Sequence, residues 1–257
     1  MTVVDVERDR GLVTLTFNRP ERKNALNRQS WDELDAALRD IESNPGDRAL
    51  ILTGAGGNFS SGADLSGQDP QMALPIVAEM RAVGSIILRL HRLPIPTLAK
   101  VDGVAVGVAL GMALGCDLVV ASDRATFYEI FPKRGLALDG GNSWLLPRLV
   151  GLQKAKELAF FGEKVPASDA AAMGLVNRVV PPEELDALAL DWGRRLAEGP
   201  TMALALSKRM LNASFGISMD QALEDEARSQ HVCYTTKDLA EGIQAYVERR
   251  PPAFEGR

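Results

Sequence analysis

Apolar and polar positions alternate on both sides of "ERDRG" in the opening run "TVVDVERDRGLVTLTFNRP", which predicts a hairpin ending at Pro20. The period then changes. In "SWDELDAALRDIESNPG" the residues Leu34, Leu38 and Ile41 fall on one helical face, and Ser30 followed by Glu33 reads as a capping box that opens the helix. "RALILTGAG" is a short apolar strand running into a glycine turn, and a less regular section leads from "GNFSSGADLSGQ" into the helical "ALPIVAEMRAVGSIILRLHRL". "PTLAKVDGVAVG" predicts strand and turn, and "DLVVASDRATFY" two more short strands. From about Gly151 onward helical patterns succeed one another, from "LQKAKELAFFG" to "SMDQALEDEARSQHVCYTTKDLAEGIQAYVER". Strands alternating with helices, without a fixed-period repeat, predict an α/β core with a mostly helical C-terminal part.

The segment "GVAVGVALGMALGC" (103–116) is uncharged, and Gly107, Gly111 and Gly115 form two overlapping GxxxG patterns. Spanning a bilayer takes about 18 to 20 apolar residues, and Asp102 and Asp117 bound this run at 14. It therefore reads as a buried helix packed closely on other backbone.

Composition narrows the class without deciding it. The chain has 257 residues, 46% hydrophobic and 25% charged, with a formal charge of -5 and no long Lys/Arg run. Those values describe a globular protein with a large core and no electrostatic footprint for nucleic acid. Cys116 and Cys233 lie far apart, and with only His91 and His231 they make no zinc pattern. "MTVVDVERDRG" lacks the order of a signal peptide, so a cytoplasmic location is expected.

Two glycine turns carry the candidate chemistry. "FSSGADL" follows the strand "ALILTG", and "DGVAVGVALG" enters the apolar helix. Such turns leave backbone N–H groups free, and a helix N-terminus favours negative charge. Two of them facing each other would make an oxyanion hole for a developing enolate. Taken singly, each reads first as a tight turn or a close-packing site.

Together with "NRPERKNAL", "ATF", "GLALDGGNSWLLPRLVG", "AAMGLVNRVV" and the closing "DLAEGIQAYVERRPPAFEGR", these turns resemble the crotonase, or enoyl-CoA hydratase/isomerase, superfamily from Asn18 to Arg257. The resemblance implies a spiral of ββα units over 1–195 and a helical oligomerisation region over 196–257, assembled as a trimer or a hexamer. It implies a coenzyme A thioester as substrate, with no separate cofactor or metal. By position the oxyanion donors would be the N–H groups of Ala63 and Val108, Val108 standing where relatives often have a second glycine. Substrate contacts are expected from Arg22, Ala25, Ser61, Asp64, Leu65, Gly107 and Phe131, with Lys23 beside Arg22 near the phosphates. Tyr246 and Arg250 fall where relatives place residues near a neighbouring subunit's adenine, or simply at trimer packing. His91 reads as surface or packing.

The departures from the pattern decide the expected reaction. Hydratases of this superfamily carry two glutamates, and here those positions read Gly111 and Phe131. Neither can position water or protonate carbon. Asp139, in "LALDGG", matches the acid of several members that move protons or attack substrate, the wording being nearest to the epoxyphenylacetyl-CoA isomerase type. Read locally, Asp139 is first of all a cap for the helix that follows Gly140, Gly141 and Asn142, and it is the resemblance that makes it catalytic. Glu129 is a second candidate, expected first as a solvated or ion-paired strand residue. An acyl-CoA isomerase using Asp139 is the leading expectation. Hydration through non-standard acids and a non-catalytic acyl-CoA binder are the alternatives.

Overall fold

The computed structural model of the chain describes residues 2–66 and 76–256. The hairpin forms as its alternation predicts. β1 (Val4–Asp9) pairs antiparallel with β2 (Leu12–Phe17), Val4 opposite Phe17, and the turn uses Arg10 and Gly11, both at positive φ.

α1 (Arg28–Ser43) buries Leu34, Leu38 and Ile41 on one face. Its start differs from the sequence expectation. The cap is Asn27, whose side chain accepts the Ser30 N–H at 2.9 Å while the Ser30 hydroxyl accepts the Asn27 N–H at 3.3 Å. Ser30, expected as the cap, is thus the third helical residue, one turn inside. Glu33 is released from a capping role and accepts the N–H groups of Val3 and Val4 at 2.8 and 2.9 Å, tying the first strand to the helix.

The chain continues through β3 (Ala49–Gly54), α2 (Ile76–Arg92), β4 (Thr97–Val101), β5 (Val104–Val106) and α3 (Val108–Gly115). Then come β6 (Leu118–Ser122), β7 (Thr126–Tyr128), α4 (Asn142–Val150), α5 (Leu152–Phe161), β8 (Lys164–Pro166), α6 (Ala167–Ala172), β9 (Arg178–Val180) and α7 (Pro182–Ala197). The chain ends in α8 (Thr201–Ala213), α9 (Met219–Cys233) and α10 (Lys237–Glu248). Residues 73–75 of the segment predicted as the second helix lie outside the described residues.

Strands alternate between two sheets. The larger has the order β1-β2-β3-β4-β6-β9, parallel from β2 onward, and the smaller is β5-β7-β8. Each β4-to-β5 or β6-to-β7 step carries the chain from one sheet to the other, giving the spiral that the resemblance implies. Alternation within strands separates two cores, as a sheet covered on both faces requires. Val13, Leu15, Leu50 and Leu52 join the main core under α1, α2 and α3, whereas Leu12, Ala49 and Ile51 face Leu185 and Ala189 of α7.

All eight residues of α3 are buried, as the uncharged glycine run predicts. The last helices differ. α8 and α9 each bury a single residue, and Leu211, Phe215, Met219, Tyr234, Tyr246 and Val247 stand exposed. Arg48 holds this region to the core, donating to the Thr201 hydroxyl at 3.0 Å, the Gly199 carbonyl at 2.7 Å and the Phe254 carbonyl at 3.1 Å. The expected boundary at residue 195 falls in the last turn of α7.

Replacing Glu33 by Ala removes the carboxylate that holds the N–H groups of Val3 and Val4 at the start of the first strand. Hydrogen bonds to a charged partner contribute about 1.5–3 kcal/mol each, so Glu33→Ala should lower the unfolding free energy by about 2 kcal/mol or more. Urea denaturation of the two proteins checks this.

Candidate active site

Two chain segments run side by side into the site. Ser60 N–H donates to the Val104 carbonyl at 2.9 Å and the Ser60 carbonyl accepts from Val106 at 3.1 Å, a parallel bridge between Ser60 and Ala105. Three residues further along each segment lie Ala63 and Val108. A second parallel bridge joins Leu26 to Ala63 through Leu26 N–H to the Gly62 carbonyl (2.8 Å) and Asp64 N–H to the Leu26 carbonyl (2.9 Å). That pairing uses the neighbours of the Ala63 amide and leaves the Ala63 N–H itself without a protein acceptor among the described residues. Val108 is the first residue of α3, so its N–H has no intrahelical partner.

Glycines permit this approach. At Gly62 (φ +88) a Cβ would stand 2.7 Å from the Val106 carbonyl oxygen, and Gly107 turns into α3 at φ 55, ψ -120. Neither conformation suits a residue with a side chain.

The first segment is anchored by residues that sequence reasoning did not single out. Asn24, 1% exposed and at φ 56, donates to the carbonyls of Ala55 (2.9 Å) and Asn58 (2.7 Å) and accepts from Arg19 N–H (2.9 Å). Arg19 also bridges the Ala25 carbonyl at 2.5 Å and the Asp64 carboxylate at 2.9 Å. Hydrogen bonds from Ser66, followed by that arginine, hold the Asp64 carboxyl at about 2. The single signal for this network was the left-handed tolerance of asparagine in "KNAL".

A third segment closes over α3. Asn142 donates from its side chain to the Gly107 carbonyl at 3.1 Å, and Gly140 lies against Val108, where a Cβ on Gly140 would be 3.0 Å from the Val108 Cα. A Cβ on Gly111 would stand 2.2 Å from the Gly140 carbonyl oxygen. The position where hydratases of the resembling family keep a glutamate therefore has no room for any side chain.

Asp139 is not a helix cap. The N-cap of α4 is Gly141 with no side-chain bond, and Asp139 contributes only its backbone carbonyl, which accepts the Asn142 N–H at 3.1 Å. The carboxyl Oδ1 is buried without a hydrogen-bond partner, and burial pushes the Asp139 carboxyl up to about 6. Glu129 also departs from expectation. It is neither solvated nor ion-paired but 2% exposed, with both carboxyl oxygens unpartnered. Burial, and then the charge of Asp139, pushes it up to about 8. It lies between β7, which pairs with β8, and the buried Phe131.

The remaining expected contacts are distributed as follows. Phe131 is buried, its ring 3.5 Å from the point where a Gly107 Cβ would stand, and Ala25 is buried behind the first loop. Ser61 is half-buried and donates through its hydroxyl to the Arg22 carbonyl at 3.2 Å, while Leu65 is exposed. The side chains of Arg22 and Lys23 are exposed and form no ion pair among the described residues. Arg250 is clamped by Glu241 at 2.6 Å and Glu248 at 2.6 Å beside a fully exposed Tyr246. His91 packs edge-on against Trp144. A cavity of about 950 Å³ opens between α2, α4 and α8, reaching Gly141 and Trp144 but neither of the two free amides. No helix among the described residues is long and apolar enough to cross a membrane.

Against known proteins, residues 7–257 match the enoyl-CoA hydratase/isomerase family. The chain is 36% identical to the 1,2-epoxyphenylacetyl-CoA isomerase of Escherichia coli K12 over 97% of each chain. It is 33% identical to the short-chain-enoyl-CoA hydratase of Clostridium acetobutylicum over 96% of this chain and 95% of that one. Its fold superposes on the crystal structure of an enoyl-CoA hydratase from Bacillus anthracis with a TM-score of 0.93, at 28% identity, covering 99% of this chain and 100% of that one.

Two outcomes follow from this geometry. Gly111→Ala drives a methyl group into the Gly140 carbonyl, an overpacking that costs about 1–3 kcal/mol or more, and urea denaturation should show it. Stability should also depend on pH with a definite sign. Glu129 and Asp139 have folded pKa values raised above their unfolded ones, so their contribution is present below the unfolded values and is lost as pH rises through about 6 and about 8. The melting temperature should fall as pH rises from the unfolded values, about 4, up to about 8, and Glu129→Gln should flatten the fall.

Proposed function

The chain belongs to the enoyl-CoA hydratase/isomerase family, and from that premise we propose that it is an acyl-CoA isomerase with Asp139 as its base. The observation that carries this reading is the contact between Gly111 and Gly140. With 2.2 Å between a Gly111 Cβ and the Gly140 oxygen, and with Phe131 at the other position, neither hydratase glutamate has a counterpart. What the chain offers instead is Asp139, whose buried Oδ1 has no partner among the described residues, directly before the Gly140 that packs on Val108 of α3.

On this reading the thioester oxygen accepts hydrogen bonds from the Ala63 and Val108 N–H groups. Negative charge that develops there is further favoured by the positive end of α3. The Asp139 carboxylate takes a proton from one carbon, breaking a C–H bond and forming its own O–H bond. The enolate then reforms a double bond one position along, and Asp139 returns the proton to the second carbon. A base whose pKa lies near 6 is ionised at neutral pH yet basic enough for the transfer. The charges of Arg22 and Lys23, exposed and without an ion pair among the described residues, suit the phosphates of coenzyme A. A homotrimer or a hexamer, in which the exposed residues of α8 to α10 meet a neighbouring copy, completes the reading.

Hydration remains as a second reading because Glu129 supplies another buried carboxyl. Crotonyl-CoA separates the two, since a hydratase bleaches its conjugated absorbance and the isomerase does not. Asp139→Asn should lower turnover of trans-3-hexenoyl-CoA about 100- to 10,000-fold, while binding of a non-reacting acyl-CoA, measured by calorimetry, persists. Wild-type turnover in that variant would overturn the assignment. Light scattering at micromolar concentration should give three or six times the 27.7 kDa chain mass.

A further inference from the structure

Glu129 is the buried titratable group that the proposed reaction does not use. It is 2% exposed, and neither carboxyl oxygen has a hydrogen-bond partner. Structural carboxylates buried this deeply are paired or hydrogen-bonded, because burying an isolated charge is costly. Asp64 in the neighbouring loop shows the ordinary solution, with Arg19 and Ser66 around it. Glu129 has nothing of the kind.

The charged groups around it turn away. Lys133 pairs with Glu163 at 2.8 Å on the surface, Arg134 and Lys164 are exposed, and Tyr128 is half-buried. Gly162 packs on the backbone of Glu129 and not on its carboxyl, a Cβ there standing 2.7 Å from the Glu129 carbonyl oxygen. Beyond burial itself, the group that acts on Glu129 is Asp139. Geometry brings the two segments together: Gly107 N–H donates to the Tyr128 carbonyl at 2.8 Å and the Asn142 side chain donates to the Gly107 carbonyl at 3.1 Å, so the stretches carrying Glu129 and Asp139 meet on one residue, each with a buried carboxyl oxygen that has no partner among the described residues.

We propose that Glu129 is a positioning residue for Asp139: as a neutral acid it keeps the site at a single negative charge, and its ionisation sets the alkaline limit of the reaction. This rests on Asp139 being the base. Two neighbouring carboxyls in a low-dielectric pocket titrate as a pair, and the second proton leaves reluctantly. While Glu129 keeps its proton, the pair carries one charge before transfer and none once Asp139 has taken the substrate's proton. The proton on Glu129 never moves. When Glu129 ionises, a second negative charge faces a substrate that must itself become anionic, and enolate formation is opposed.

The test compares pH–rate profiles of the wild type and Glu129→Gln with trans-3-hexenoyl-CoA, each normalised to its own plateau. Glutamine keeps the size and remains neutral at every pH used. The wild type should lose activity above about pH 8, the variant should show no such alkaline fall, and both should keep the acid limb near pH 6. Infrared difference spectra of wild-type protein labelled with ¹³C-glutamate give a readout independent of turnover. A protonated glutamate carboxyl should be present at neutral pH and disappear over the same range as the activity. Coincident alkaline limbs, or no protonated glutamate at neutral pH, would overturn the proposal. If Asp139→Asn is inactive while the limbs coincide, only the role of Glu129 fails. If Asp139→Asn turns over normally, the base assignment fails and takes this inference with it.

Discussion

The site depends on backbone packed directly against backbone around α3. A carbonyl oxygen from the 139–142 segment sits where a Gly111 side chain would begin, Gly140 rests on Val108, and Gly62 rests on the Val106 carbonyl. Interiors are packed too densely to absorb even a methyl group at such contacts. Three distant segments can share one small volume only because these positions carry no Cβ. Among the described residues the amides of Ala63 and Val108 have no acceptor within their own elements, and the 139–142 segment packs on Val108 through Gly140. The glycine contacts also exclude an acid on α3, so a single packing constraint both builds the site and narrows its chemistry.

Two aspartates near this junction show how environment assigns roles. Asp64 is held at about 2 by Ser66 and Arg19 and is spent on fastening the loop that carries Ala63. Asp139 has an unpartnered oxygen and is raised to about 6 by burial. Identical side chains thus become a fixed anion and a carboxyl held much closer to neutrality. The cost of leaving Asp139 and Glu129 unsatisfied falls on the stability of the whole fold, as is common where a protein keeps reactive groups dry.

Much of the scaffold was legible because it rests on local periodicity. The hairpin alternation, the Leu34–Leu38–Ile41 face and the apolar run of α3 each reflect a repeat that neighbouring residues enforce. The start of α1 was misplaced by one turn because Asn27 and Ser30 are both good caps, and the choice depends on Glu33 being drawn to the N–H groups of β1. Asp139 could not be told from a cap by local pattern, since its burial is set by Gly140 meeting α3 far away in sequence. Glu129 was legible only as a strand residue. Its burial is a tertiary property, with Gly162 from a distant stretch packed on its backbone, and that leaves no signature at position 129. The Asn24 and Arg19 network was missed for the same reason, its partners lying some thirty to forty-five residues away.

The central claim is that this junction moves a proton on a thioester and does not add water. Converting trans-3-hexenoyl-CoA in heavy water and resolving the products by mass spectrometry tests it most directly. The expected product is 2-hexenoyl-CoA, with deuterium incorporated to the extent that Asp139 exchanges its proton with solvent and with no 3-hydroxy species formed at a comparable rate. Accumulation of 3-hydroxyhexanoyl-CoA as fast as the double bond migrates would contradict it.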